Sequence, residues 1–327
     1  MNEPILSDWS ERKITDFGFL PLRLNHNLHR NSLFQEDALV QLIEKLTRDD
    51  YMVNTMDITA HNSASLREGE IRGLSGKAVL EAVKKGHIWL LLLHAQRLDS
   101  RYHDLLRELY GEFSRTLPFF RPYLLDSSIL ISSPNVLVYY HLDIPGQMLL
   151  QISGAKRVYI YPNREPFVNR AYLEKTLLGE EHECGLPYDP RFDEHAAVYD
   201  LQPGQLLHWP LNAPHRIING NSVNISFATE HFTRSLRRQF FVNYANGVLR
   251  KRQGILRLSH TTSGPSYWAK LGIAVAYKMT GGQRRHKRVP NIDFAVDPAA
   301  PNGVRSITTP TFEAAGRRDE DTGWPRS

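Results

Sequence analysis

Val136–Tyr161 reads VLVYYHLDIPGQMLLQISGAKRVYIY, and the architecture follows from this stretch. Val136–Leu142, Met148–Ile152 and Arg157–Tyr161 are short runs dense in β-branched and aromatic residues, the texture of strands rather than helices. Pro145-Gly146 separates the first two. Further out, similar runs occur at Ala197–Leu201, Leu206–Trp209, His215–Ile218 and Ser222–Ala228, with turn signals at Pro203-Gly204 and Asn219-Gly220. Many short strands at this spacing predict a sandwich or barrel. The β texture holds from Ile129 to Phe232, and a β core is expected over 121–232.

Both flanks read as helical. Glu36–Arg48, Gly76–Lys85 and Ser100–Arg115 carry apolar stripes at helical spacing, and His87–His94 is an apolar run short enough for a buried strand. Residues 1–120 are therefore an α/β flank. Within the core, Asn163–Asp200 is a charged, Pro-containing insertion expected to be a loop with one short helix. Beyond Thr233, Leu236, Phe240, Phe241, Tyr244, Val248 and Leu249 form one stripe, and Tyr267–Met279 gives a second helix. Residues 293–327 are Pro/Thr/Gly/Asp-rich and are expected to be a poorly packed tail.

The chain has 327 residues, 41% of them hydrophobic and 23% charged, which excludes global disorder, collagen and coiled coil. A single cysteine, Cys184, excludes a disulfide scaffold or a Cys-rich zinc module. The longest apolar run, Ile88–Leu93, is far short of the roughly 20 residues a membrane helix needs, so no membrane partner is expected. Met1–Ser10 has no basic region followed by an apolar core, and a cytoplasmic location is expected. The net charge of +5 is uneven: between His231 and Ile292 there are 13 Lys/Arg and no Asp or Glu. That segment, 233–292, either packs on the acidic remainder or meets an acidic partner. Nucleic acid is possible there, but no binding motif accompanies the charge.

Chemistry concentrates at Tyr139-Tyr140-His141-Leu142-Asp143. In a strand, residues i and i+2 share a face, so His141 and Asp143 project together. An imidazole and a carboxylate from one strand, joined by a second histidine, make the facial triad of non-heme Fe(II) oxygenases. Alone, a His-x-Asp is a weak signal. Downstream, however, Gln151-Ile152-Ser153-Gly154-Ala155-Lys156-Arg157 is followed by Pro203-Gly204-Gln205-Leu206-Leu207-His208-Trp209-Pro210 and Asn212-Ala213-Pro214-His215. With these segments the sequence resembles the JmjC/cupin-like family of Fe(II)- and 2-oxoglutarate-dependent oxygenases, in its hydroxylase branch, over about a third of the chain.

The resemblance implies a double-stranded β-helix, or jelly-roll, cupin-like core with α-helices flanking both ends. It implies His141, Asp143 and His215 as iron ligands, and Lys156 as the partner of the distal carboxylate of 2-oxoglutarate. It places Asn224 near the cosubstrate. Tyr139 could line that pocket or merely fill the barrel. Two positions depart from the family pattern: Gly204-Gln205 replaces a Gly-Asp turn, and Val138 stands where a hydroxyl residue often touches the cosubstrate. The implied activity is hydroxylation of an unactivated C–H bond on a protein or peptide side chain, which the basic segment tilts toward an acidic polypeptide. A small-molecule (natural-product or amino-acid) hydroxylase and a non-catalytic metal-binding cupin are the alternatives. A homodimer through 233–279 is also implied, with arginines on its rim or facing the acidic body.

Three local readings complete the expectation. Alternation puts Lys156, Val158 and Ile160 on one face, with Lys156 its only charge. Asn219-Gly220 suits a two-residue type I′ hairpin, which would set His215 opposite Asn224. His208 reads as a packed strand residue beside Trp209 rather than a fourth ligand.

Overall fold

The computed structural model describes residues 3–56, 65–255, 257–281 and 292–307. The first flank runs β1 (Leu6–Ser7), α1 (Glu11–Asp16), β2 (Leu22–His26), α2 (Glu36–Ile43), β3 (Tyr51–Thr55), β4 (Arg67–Glu70), α3 (Gly76–Lys85), β5 (Ile88–Leu92), α4 (Ala95–Leu98) and α5 (Ser100–Thr116). The core follows with β6 (Tyr123–Ser132), β7 (Leu137–His141), β8 (Gly146–Ser153), β9 (Lys156–Ile160), α6 (Arg170–Leu177), β10 (Ala197–Leu201), β11 (Gln205–His208), β12 (His215–Asn219) and β13 (Asn224–Phe232). Helices α7 (Arg234–Gln253) and α8 (Gly264–Met279) precede β14 (Ile292–Val296) and β15 (Val304–Ser306).

Strands β6 to β13 divide between two antiparallel sheets, ordered β11-β8-β13-β6 and β10-β9-β12-β7. The chain crosses between sheets at nearly every connection, the topology of a double-stranded β-helix. The first sheet grows at both edges, β1 and β2 beyond β11, and β5, β3, β4, β14 and β15 beyond β6, to eleven strands. Flank and core thus share one sheet.

Side-chain sorting explains why the core strands are apolar runs. On β8, Met148, Leu150 and Ile152 join the helix-side cluster with Val79, Leu106 and Phe113, while Leu149 faces the second sheet with Val158, Ile160 and Ile217. A strand covered on both faces has no polar side. The outer face of the small sheet is covered in turn, Tyr140 and Tyr161 packing with Leu173, Tyr244, Val248 and Tyr277 of α6, α7 and α8. The insertion is clamped there: Asp193 accepts from Tyr161 Oη at 2.5 Å and Tyr188 Oη at 2.8 Å and pairs with Arg216, whose guanidinium lies 3.6 Å from the Tyr159 ring centroid.

One expectation changes. The region from Asp293 is not uniformly loose: β14 pairs with β4 and β15, and Phe294 is fully buried over Gly69. A short apolar alternation, Ile292–Val296, outweighs the composition around it; residues 308–327 lie outside the described part. On α7, Tyr244 and Val248 are buried against α6 and α8, while Leu236, Phe240, Phe241 and Leu249 of the same stripe are half-buried. Part of the basic segment faces the acidic insertion, Arg250 Nε lying 2.7 Å from buried Glu174 and Lys251 pairing with Glu180. No described helix is long and apolar enough to cross a membrane.

Candidate active site

His141 closes β7 and His215 opens β12, directly opposite each other in the small sheet. The register slips between them: Ile217 pairs with Val138, so Tyr139-Tyr140 bulges against one residue of β12. The bulge flips the parity of β7. Val138 and His141, three apart, therefore both turn inward, the re-aiming that bulges commonly perform beside active sites. Asp143 lies past the strand end, and its position is set by the 209–215 loop instead. Asn212, with φ of 56°, donates Nδ2 to the Asp143 carbonyl at 2.6 Å.

The three side chains converge. Asp143 Oδ2 is 3.3 Å from His215 Nε2, Oδ1 is 3.8 Å from His141 Nε2, and all three donor atoms lie within 4.8 Å of one another. Ligands at adjacent corners of an octahedron with bonds of about 2.1 Å sit roughly 3 Å apart, so small rotations complete the set. Both histidines are pre-oriented. His141 Nδ1 is 2.7 Å from the Tyr139 carbonyl and His215 Nδ1 is 3.1 Å from the Ala213 carbonyl. A carbonyl only accepts, so each Nδ1 carries the hydrogen and each Nε2 presents its lone pair. Burial holds the His215 imidazole well below its ordinary value, with His141 adding to the effect. Burial raises Asp143, against the pull of His141 and a hydrogen bond from Trp209. The donors fit a divalent cation. This is a two-histidine, one-carboxylate facial triad.

Lys156 enters from the same small sheet. It pairs with Asn219 while Ile160, four residues along β9, pairs with His215. The separation along the strand is thus about 13 Å. Lys156 is 5% exposed, and its Nζ donates to Ser226 Oγ at 2.7 Å across the barrel. Ser226 donates to Gln151 Oε1 at 2.7 Å, and Gln151 Nε2 donates to Asn224 Oδ1 at 2.8 Å. Among the described residues no carboxylate pairs with Lys156, and burial alone lowers its ammonium to about 7.

Asn224 itself is buried in the other sheet, opposite Ser132 on β6. The expected hairpin is therefore not formed: β12 and β13 belong to different sheets, and neither Asn219 nor Gly220 has the positive φ that a type I′ turn requires. Asn219-Gly220 instead turns a crossover, bonding back to the Val136 and Ala155 carbonyls. Tyr139 packs with Met56 and Val136, its hydroxyl 2.6 Å from Ser65 Oγ, while its carbonyl orients His141. His208 is stacked 4.3 Å from Phe17 with Nδ1 on the Gln147 carbonyl, apart from the triad. Tyr140 donates to the Phe167 carbonyl on the outer side.

Sequence reading overlooked two carboxylates near the triad. Glu183, on the insertion, is pushed up to about 8, and Glu230, near the end of β13, to about 7. Burial is the main cause for each, and repulsion from Asp143 adds to it. Gln147 donates to Glu230 Oε1 at 3.0 Å. Nothing local in the sequence signals either; both depend on long-range packing.

No protein-family model matches the chain, and no curated protein matches its sequence. Similar solved structures include the X-ray structure of E. coli ycfD, at 17% identity and a TM-score of 0.49, covering 90% of this chain and 76% of that one. YcfD, a ribosomal oxygenase from Escherichia coli, in complex with cobalt and 2-oxoglutarate matches at 17% identity and a TM-score of 0.44, covering 85% and 70%. Its complex with cobalt and succinic acid matches at 15% identity and a TM-score of 0.42, with the same coverage.

Proposed function

We propose that this chain is an Fe(II)- and 2-oxoglutarate-dependent oxygenase that hydroxylates an unactivated C–H bond of a protein or peptide side chain. The observation that carries the reading is one barrel holding both the triad and a buried ammonium with no counter-ion among the described residues. A buried cation left unpaired costs several kcal/mol, and an incoming anion removes that cost. The gap between Lys156 and the triad suits an extended lysine side chain followed by a five-carbon diacid.

Iron held by His141, Asp143 and His215 would supply the redox step, in which dioxygen and 2-oxoglutarate yield succinate, carbon dioxide and an alcohol on the acceptor. The chain's own residues prepare that site. Lys156 holds the distal carboxylate so that the 2-oxo end reaches the triad. Leu149, Val158, Ile160, Leu207 and Ile217 line the interior between the sheets and exclude water. Asn212 and Trp209 keep Asp143 from swinging away.

The basic segment favours an acidic polypeptide as the acceptor. A small molecule is the second reading, favoured by the clamp that fixes the insertion over the small sheet.

The direct test is anaerobic addition of Fe(II) and 2-oxoglutarate, followed by visible absorption. A weak metal-to-ligand band that is lost in His141→Ala is expected; its absence from the wild-type protein refutes the cofactor pair. With oxygen gas, peptides should gain the mass of one oxygen atom, heavier when the gas is isotopically labelled. Turnover of small molecules alone would overturn the peptide reading, and no acceptor-stimulated succinate would favour a non-catalytic cupin.

A further inference from the structure

Trp89 sits on β5, the strand next to β6. Ile88, Leu90 and Leu92 face the helix-side cluster, so Trp89 faces the opposite way, where it packs against the clusters holding Val138 and Tyr139. Its neighbour across the strands is Ser132, which is also the partner of Asn224. Directly opposed residues share a face. Trp89, Ser132, Asn224 and, two residues along β13, Ser226 therefore line one wall. Lys156 meets that wall at Ser226, and Asn219, its own partner in the small sheet, reaches Ser132 Oγ at 2.8 Å. Strands lie about 4.8 Å apart, so the β5 and β13 backbones are separated by about 10 Å, within the joint reach of an indole and a lysine.

The donors on this wall are nearly all spent. Asn219 Nδ2 serves Ser132 Oγ and the Ser133 carbonyl, and Gln151 Nε2 serves Asn224 Oδ1 and the Ser153 carbonyl. The Ser226 hydroxyl serves Gln151. Among the described residues three fixed donors have capacity left: Lys156, which uses one of its three N–H bonds, Asn224 Nδ2, which uses one of its two on the Ser222 carbonyl, and Trp89 Nε1, which alone is buried with no hydrogen-bond partner at all. A buried N–H left without an acceptor is rare in native proteins and costs about 1–3 kcal/mol.

We propose that the Trp89 indole N–H is a second donor to the carboxylate received by Lys156, making Trp89 a binding residue for the distal end of a 2-oxo dicarboxylate. This rests on the Lys156 assignment above, and the test separates the two. Calorimetry with Mn(II)-loaded protein measures binding without turnover. Trp89→Phe, which keeps a ring but loses the N–H, should weaken 2-oxoglutarate roughly tenfold, as expected for a hydrogen bond to a charged group. The same variant should leave 2-oxopentanoate, which lacks the distal carboxylate, unaffected. An unchanged 2-oxoglutarate affinity in Trp89→Phe alongside a loss in Lys156→Met overturns the Trp89 role alone. Unchanged affinity in both variants overturns the Lys156 assignment as well. Should Trp89→Phe fold poorly, the unaltered protein still answers. With Zn(II) as a diamagnetic metal, one of its indole N–H resonances should move downfield on adding 2-oxoglutarate and stay put with 2-oxopentanoate. No such movement overturns the proposal.

Discussion

Replacing Lys156 by Met should make the protein more stable and worse at binding 2-oxoglutarate, two effects of opposite sign from one side chain. The folded state lowers the ammonium from 10.5 to about 7 through burial. An unfolded chain therefore binds more protons than the folded one between about pH 7 and 10.5, and stability rises with pH through that window. Taking about 1.36 kcal/mol per pKa unit, the lysine costs the ligand-free fold on the order of 4 kcal/mol at pH 7.5 and about 2 at pH 9. Methionine of similar length recovers part of this, less about 1 kcal/mol for the hydrogen bond Ser226 loses. In thermal unfolding without ligand, Lys156→Met should melt several degrees higher at pH 7.5, and the advantage should shrink by pH 9. Adding 2-oxoglutarate with Mn(II) should raise the wild-type midpoint, by about 2.7 kcal/mol of stabilisation at a hundredfold excess over Kd, and leave the variant nearly unmoved. A ligand-free variant less stable than wild type, with ligand stabilisation intact, would show that Lys156 is a structural strut and refute the reasoning.

Three further outcomes are expected. His141→Ala and Asp143→Ala should each weaken Mn(II) or Fe(II) binding at least a hundredfold by calorimetry with an unchanged circular dichroism spectrum; unchanged affinity in both eliminates the site. The apolar face left bare on α8, with Trp268 at 62%, Val275 at 44% and Met279 at 83% exposure, should join two chains, so light scattering should give a dimer at micromolar concentration and a monomer for Trp268→Glu. A wild-type monomer counts against this. Gly69→Ala would put a Cβ 2.3 Å from the Phe294 ring and should free the β14–β15 hairpin, exposing 297–303 to proteolysis at a cost of about 1–3 kcal/mol; an unchanged digestion pattern rejects that docking.

Much of the barrel was legible because its strands are short and bounded by turn residues. The runs at Met148–Ile152 and Ala197–Leu201 fall within or on the observed β8 and β10. His141, Asp143, His215 and Lys156 stood out by spacing and resemblance, but the local reasoning for His141 and Asp143 was partly mistaken. Asp143 is not on the strand at all; it reaches His141 because Asn212 holds its backbone and the Tyr139-Tyr140 bulge turns His141 inward. Asn219-Gly220 failed for a related reason. A turn dipeptide reports that the chain reverses, not whether the strands on either side pair or part into different sheets. In a double-stranded β-helix they usually part, and the backbone angles follow the crossover.

What escaped the sequence are groups that matter through what they lack. Trp89 is one aromatic residue in an apolar run, and nothing adjacent reveals that its N–H is stranded beside the Lys156 wall. Glu183 lies in an insertion whose approach to Asp143 depends on the Asp193–Arg216 clamp and on α6 packing against α7. An ammonium without a counter-ion among the described residues, an indole N–H without an acceptor and carboxylates pushed up chiefly by burial each cost the ligand-free fold free energy. A barrel selected for stability alone would replace them with apolar residues at little loss. Their placement around the triad makes sense when the missing partners arrive together: a divalent cation for Asp143 and a dicarboxylate for Lys156 and Trp89. Binding of each should then strengthen the other, because each removes part of the same electrostatic cost, and the coupling must be reciprocal. Measured with Mn(II), 2-oxoglutarate should tighten the metal by the same factor that the metal tightens 2-oxoglutarate, and Glu183→Gln should alter that factor while Lys156→Met abolishes most of it. Independent binding of the two in the wild-type protein would mean that these groups belong to separate sites, and the single-centre reading of the barrel would fail.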